Sequence, residues 1–169
     1  IIVCSTGVIG QELSIKPFEY GVPKLAEKVS YNGGQEAAEA IMTTDTIPKS
    51  IAVEFEIDGK TWYIGGIAKG SGMIDPNMAT MLSFITTDAA VSPEMLDKAL
   101  KADVKTSYNQ ICVDGDMSTN DTVAVLANGM AGNDEIAEAG TEFDVFCEAL
   151  ARQEAGERTG CHFGGYGQR

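Results

Sequence analysis

Residues 51–67 read Ile51-Ala52-Val53-Glu54-Phe55-Glu56-Ile57-Asp58-Gly59-Lys60-Thr61-Trp62-Tyr63-Ile64-Gly65-Gly66-Ile67. Ile51, Val53, Phe55 and Ile57 alternate with Ala52, Glu54 and Glu56, the two-residue period of a strand with one buried face. Asp58-Gly59 follows at once, a pair suited to a two-residue turn, so residues 60–67 are the returning strand of a hairpin. The hairpin aims what comes next: Ala68-Lys69-Gly70-Ser71-Gly72-Met73-Ile74-Asp75-Pro76-Asn77-Met78-Ala79-Thr80-Met81-Leu82, where small residues, a proline and one lysine are packed together. A strand pattern resumes at residues 82–86.

Upstream, residues 1–4 (Ile-Ile-Val-Cys) read as a buried strand that runs into the small-residue turn Ser5-Thr6-Gly7-Val8-Ile9-Gly10, a place where backbone amides can face a ligand. Residues 22–29 and 35–42 read as short helices. Thr43-Thr44-Asp45-Thr46-Ile47-Pro48 is loop chemistry. Downstream, Ser92-Pro93-Glu94 is an N-cap, a first-turn proline and an acidic first turn, opening a helix to about Ala102. Residues 107–113 alternate as a strand, and the apolar run 122–128 is too short to assign between strand and helix. Thr141 caps a helix whose Phe143, Phe146, Cys147 and Leu150 recur at helical spacing. From Glu154 to Arg169 glycines stand at 156, 160, 164, 165 and 167, and apolar periodicity ends.

The chain has 169 residues with 12 basic against 25 acidic side chains, a net charge of −13. A domain of this length buries roughly 70% of its unfolded surface and needs no metal or disulfide. The acidic balance argues against nucleic acid, whose affinity comes from Lys and Arg on phosphates. No run approaches the roughly 20 apolar residues of a membrane span, so a soluble, cytoplasmic protein is expected. The cysteines at 4, 112, 147 and 161 form no C-x-x-C pair; they read as buried thiols in a reducing compartment, and no metal site is expected. The opening apolar run, without an initiator Met, suggests a fragment.

Common catalytic signatures fail. Gly65 and Gly70 have P-loop spacing, but Ser71 and Gly72 stand where Lys and Ser/Thr belong. Asp114-Gly115-Asp116 opens like a calcium loop, yet Thr119 and Val125 occupy its glycine and glutamate positions. His162 is the sole histidine and lies in the tail. Thr80 offers a route without histidine: if the chain is cut before it, the freed α-amine can serve as the base for its hydroxyl. On spacing alone the plainer reading of residues 69–82, a glycine-rich strand connection, stands ahead.

Four blocks in order change that weighting. They are Ser5 to Gly10, Ala40-Ile41-Met42-Thr43-Thr44-Asp45-Thr46, Gly65 to Leu82, and Val113-Asp114-Gly115-Asp116-Met117-Ser118-Thr119-Asn120-Asp121-Thr122. Together they closely resemble the ornithine acetyltransferase / glutamate N-acetyltransferase family of arginine biosynthesis, over residues 1 to about 153. The resemblance implies an α/β fold, mixed sheets with packed helices, like the ornithine acetyltransferase / DmpA-type aminopeptidase fold, here incomplete at both ends. It implies self-cleavage between Ala79 and Thr80, with residues 1–79 belonging to an α chain and 80–153 to a β chain.

Thr80 would then carry acetyl from N-acetylornithine to glutamate by double displacement, and Thr6 and Gly7 would stabilise the oxyanion. Thr43, Lys69 and Thr80 match substrate-binding positions. No cofactor is implied, acetyl-CoA being a donor only in bifunctional members. Paired α and β chains imply a higher oligomer. The block Ser118 to Thr122 has no assigned role; an Asx-rich turn accounts for it. After Gln153 the family's acidic glycine motif of the type D-G-E-G-A-T-K and its C-terminal Asn and Thr have no counterparts, so residues 154–169 read as an atypical tail of the kind a shifted reading frame produces. An N-terminal-nucleophile aminopeptidase or amidohydrolase of related fold, or an inactive fragment, are the alternative readings.

Overall fold

A computed structural model describes residues 2–57, 59–72, 81–110, 115 and 118–160, with side chains to Gln153. Strands β1 (Lys49–Ile57) and β2 (Lys60–Lys69) form the hairpin, paired antiparallel with Ile57 opposite Lys60. Gly59 takes φ +74° in the turn, a conformation that favours glycine. Strand β3 (Leu82–Thr87) adds antiparallel to β2, and β4 (Thr122–Ala127) adds parallel to β3, giving the order β1-β2-β3-β4. A parallel pair needs a long crossover, and helix α3 (Pro93–Val104) lies within it. The four-stranded mixed sheet with helices is of the α/β class.

The core lies on one face. Phe55 and Ile57 of β1, Trp62 and Ile64 of β2 and Ile85 of β3 pack with Phe143, Phe146, Ala149 and Leu150 of α4 (Thr141–Gly160), joined by Met95 and Ala99 of α3. Phe55 and Trp62 meet edge to face, 5.6 Å between ring centroids, a geometry aromatic quadrupoles favour. Each such side chain contributes about 1.5–3 kcal/mol by leaving water.

Helix α3 starts where the sequence places its cap: Ser92 Oγ accepts the Met95 amide at 3.3 Å. Ser92→Ala should lower stability by about 1 kcal/mol, read from urea unfolding; an unshifted midpoint would show that the cap contributes nothing.

Three expectations are corrected. Residues 2–4 form no strand, and Ile2 and Val3 are 63% and 77% exposed. Among the described residues they pair with no strand, and an apolar run without a partner strand has nowhere to place its backbone hydrogen bonds. The strand expected at 107–113 is absent where it is described: Tyr108–Gln110 is a 3-10 turn, and residues 111–113 lie outside the described residues. The amide and hydroxyl of Ser107 both donate to the Asp103 carbonyl, at 2.9 and 2.8 Å, so the chain is still closing off α3. Third, Cys4 and Cys147 are only partly buried; Cys112 and Cys161 lie outside the described residues.

Two helices are longer than their apolar spacing. Helix α1 spans Lys16–Lys28, with Pro17 in its first turn, where the missing N–H costs nothing. None of its residues is buried. Helix α4 continues past Gln153 to Gly160; Glu154-Ala155 and Glu157-Arg158 are good helix formers, which extend a helix without an apolar face. Helix α2 is Gly34–Ala40, and its Ala38 is buried beside the hairpin. Among the described residues no helix is long and apolar enough to cross a membrane.

Candidate active site

The site forms at the end of β2. Trp62 and Ile64 turn into the core, so alternation turns Lys69 to the opposite face, where it pairs in register with Leu82. Its side chain is 2% exposed. Lys69 Nζ donates to Thr6 Oγ1 at 3.0 Å and to Thr43 Oγ1 at 3.5 Å. Residues separated by 63 and 26 positions in sequence therefore meet at one ammonium. These are three of the residues singled out by sequence. Gly7, beside Thr6, is exposed, and a Cβ there would come within 3.1 Å of the Leu13 side chain. The proposed scissile pair Ala79–Thr80 lies outside the described residues.

A second layer holds this cluster. Asp45 Oδ1 accepts the Gly70 amide at 2.8 Å, and Oδ2 accepts the Thr43 amide at 3.3 Å. Asp45 also forms an ion pair with Lys49, the two side chains being 1% and 6% exposed. Lys49 Nζ donates to the Gly70 carbonyl at 3.0 Å, so both polar groups of that peptide unit's residue are taken. Gly70 holds φ +142°, which a residue with a Cβ would adopt under strain. Thr44 Oγ1 and Ser71 Oγ lie 2.6 Å apart and tie the same two loops together.

The electrostatics follow from burial. Desolvation pushes the Lys69 ammonium below the usual lysine range, with Lys49 adding to the effect, while Asp45 and Asp121 pull the other way. Burial raises Asp45, but hydrogen bonds from Lys49 and the Gly70 and Thr43 amides, with the Lys49 charge, outweigh it and hold the carboxyl below its ordinary range. Among the described residues Lys69 has no carboxylate at salt-bridge distance. Among the described residues its hydrogen bonds go to the two threonine hydroxyls. Among the described residues no group of three or more His, Cys, Asp or Glu could hold a metal.

A family model described as the ArgJ family matches residues 1–162. The chain belongs to the ArgJ family. Relatives named "Arginine biosynthesis bifunctional protein ArgJ" include one from Caldanaerobacter subterraneus subsp. tengcongensis, 55% identical over 150 residues, covering 89% of this chain and 37% of the relative. One from Synechococcus sp. is 48% identical over 167 residues, covering 95% and 40%. One from Lactococcus lactis is 47% identical over 169 residues, covering 95% and 42%. This chain thus spans about two fifths of the length of the ArgJ relatives it matches. The family is the one that the four motifs resemble.

Sequence reasoning passed over Asp45, Lys49 and Asp121. Asp45 stands inside the quoted Thr-Thr-Asp-Thr block four residues before Lys49, an opposite-charge pair at a strand entrance, and that spacing was the available signal. Asp121 had only its place in an Asx-rich turn.

Proposed function

We propose that this chain carries the acetyl-transfer centre of an enzyme of arginine biosynthesis, moving acetyl from N-acetylornithine to glutamate through Thr80. The convergence of Thr6 and Thr43 on the Lys69 ammonium carries the reading, and membership of the ArgJ family supports it. Both donor and acceptor are amino-acid derivatives with an α-carboxylate, and Lys69 offers a buried positive charge to receive it.

Cleavage at Ala79–Thr80 frees the Thr80 α-amine. The Thr80 hydroxyl adds to the acetyl carbonyl and passes its proton to that amine, while Thr6 and Gly7 stabilise the oxyanion. The tetrahedral intermediate collapses with loss of the C–N bond, and the proton moves to the departing ornithine nitrogen. The glutamate amine then attacks the acetyl ester, and the Thr80 oxygen leaves and is reprotonated, giving N-acetylglutamate. In this reading residues 1–79 and 80–153 belong to the α and β chains of a larger cytoplasmic oligomer, folded like the DmpA-type aminopeptidases, and acetyl-CoA enters only in a bifunctional enzyme.

The test supplies N-acetylornithine and glutamate and follows N-acetylglutamate by mass spectrometry, with acetate release and peptide hydrolysis measured in parallel. Lys69→Met should raise KM by about tenfold or more, the scale of one charge-assisted hydrogen bond. An unchanged KM would remove Lys69 from the pocket. Transfer to water in preference to glutamate would instead favour the aminopeptidase or amidohydrolase reading, and a folded protein that transfers nothing would favour the inactive fragment.

A further inference from the structure

Sequence assigns the block Ser118 to Thr122 no role, and its Asp121 makes a contact that acetyl transfer through Thr80 does not itself use. Asp121 Oδ1 accepts the backbone amide of Met81 at 2.8 Å, across 40 positions of sequence. One residue further on, the Thr122 amide donates to the Met81 carbonyl at 2.9 Å. Met81 is therefore held on both sides, by a side chain through its N–H and by a strand through its C=O. From there the parallel pairing of β3 with β4 runs in register from Leu82 opposite Thr122 to Thr87 opposite Ala127.

The two bonds are unlike in kind. The Thr122 bond continues the ladder and is available to any residue at position 122. The Asp121 bond depends on one side chain and stands outside the ladder, so the sheet does not require it. Its carboxylate also accepts a hydrogen bond from Ser118, whose hydroxyl in turn accepts the Asn120 amide at 3.1 Å. The turn is thus folded so as to present Asp121.

The Met81 nitrogen is covalently the amide of the Thr80–Met81 peptide. We infer that Asp121 is a positioning residue: by holding the Met81 amide it fixes the chain just before β3, at the residue that follows the proposed nucleophile in sequence. The functional part of this inference rests on the reading of Thr80 as nucleophile, whereas the hold on Met81 does not.

Two substitutions separate the parts. Asp121→Asn keeps a carbonyl oxygen for the Met81 amide and removes the charge; Asp121→Ala removes both. The first measurement is amide hydrogen exchange of the full chain by NMR. In Asp121→Ala the Met81 amide should exchange about tenfold or more faster, the scale of a lost hydrogen bond to a charged group, while Phe84 and Ile85 within β3 keep their protection. Asp121→Asn should restore most of the Met81 protection. Loss of protection spread evenly through β3 would mean a merely structural role and overturn the inference, as would a Met81 amide indifferent to Asp121→Ala. The second measurement is kcat and KM for acetyl transfer, with kcat falling about tenfold or more in Asp121→Ala, recovering in Asp121→Asn, and KM for glutamate little changed. A Met81 amide set loose with kcat intact would overturn the positioning role. Thr80→Ala is measured alongside: full activity there would defeat the nucleophile reading, and the exchange data would still decide whether Asp121 holds Met81.

Discussion

Thr80→Ala should leave the protein as a single chain, where the proposed self-cleavage at Ala79–Thr80 would give two in the unsubstituted protein, and should lower acetyl transfer on the order of 10⁴-fold or more. One atom accounts for both losses. For the proposed cleavage the Thr80 hydroxyl would add to the Ala79 carbonyl, the C–N bond would break to leave an ester, and water would hydrolyse it; the same oxygen would later carry acetyl, and alanine has no oxygen to do either. Thr80→Ser keeps the hydroxyl and should still give two chains. Intact-mass measurement over a prolonged incubation decides the matter. Two chains from the alanine variant would place the cut elsewhere, and an uncut natural chain with a folded circular dichroism spectrum would end the claim of self-processing.

Asp45→Ala should cost about 3–5 kcal/mol of stability, the scale for breaking a buried ion pair by removing one member. Lys49 would be left charged and nearly out of water, and the Gly70 and Thr43 amides would lose their acceptor. Most of the penalty is the stranded charge, so adding Lys49→Met to Asp45→Asn should recover a large part of it. The same carboxylate makes stability pH-dependent. Its native pKa lies below the ordinary value of about 3.9, so between the two the unfolded chain binds more protons than the native one and stability rises with pH. The Asp45 contribution is therefore complete above the ordinary value and lost as pH falls through the depressed native one. Urea unfolding measured from neutral to strongly acid pH should show the gap between natural protein and Asp45→Asn closing at the acid end. A gap that stays constant would mean that Asp45 gains nothing from its partners.

The parts of the fold legible in the sequence were those built from neighbours in the chain. The β1–β2 hairpin followed from alternation into Asp58-Gly59, α3 from its Ser92-Pro93 start, and the buried stripe of α4 from Phe143, Phe146 and Leu150. Where sequence reading failed, a distant partner decided. Residues 2–4 have the composition of a strand and no strand to pair with. Residues 107–110 alternate, yet Ser107 bonds back to the Asp103 carbonyl and the Gln110 amide to the Ser107 carbonyl, which turns the chain instead of extending it. The run 122–128 was ambiguous until its pairing with β3 made residues 122–127 a strand.

The site divides in the same way. Thr6, Thr43 and Lys69 were named from motifs that resemble one family, because residue identities and order are written in the chain. That they converge on one ammonium is a tertiary fact: the hairpin sets the end of β2 against a loop and an N-terminal segment that share no local pattern. Asp45 and Asp121 show the limit most clearly. Each is an acidic residue in a polar loop by sequence, and each becomes specific only through the backbone amides it accepts, Gly70 and Thr43 in one case and Met81 in the other. The sequence by itself determined the hairpin, the helical stripe, the family and the identity of the charged groups, since these depend on periodicity and residue type. The tertiary structure alone decided which carboxylate holds which amide and that Lys69 is buried against Thr6 and Thr43, since hydrogen bonds and desolvation depend on distances between segments far apart in the chain.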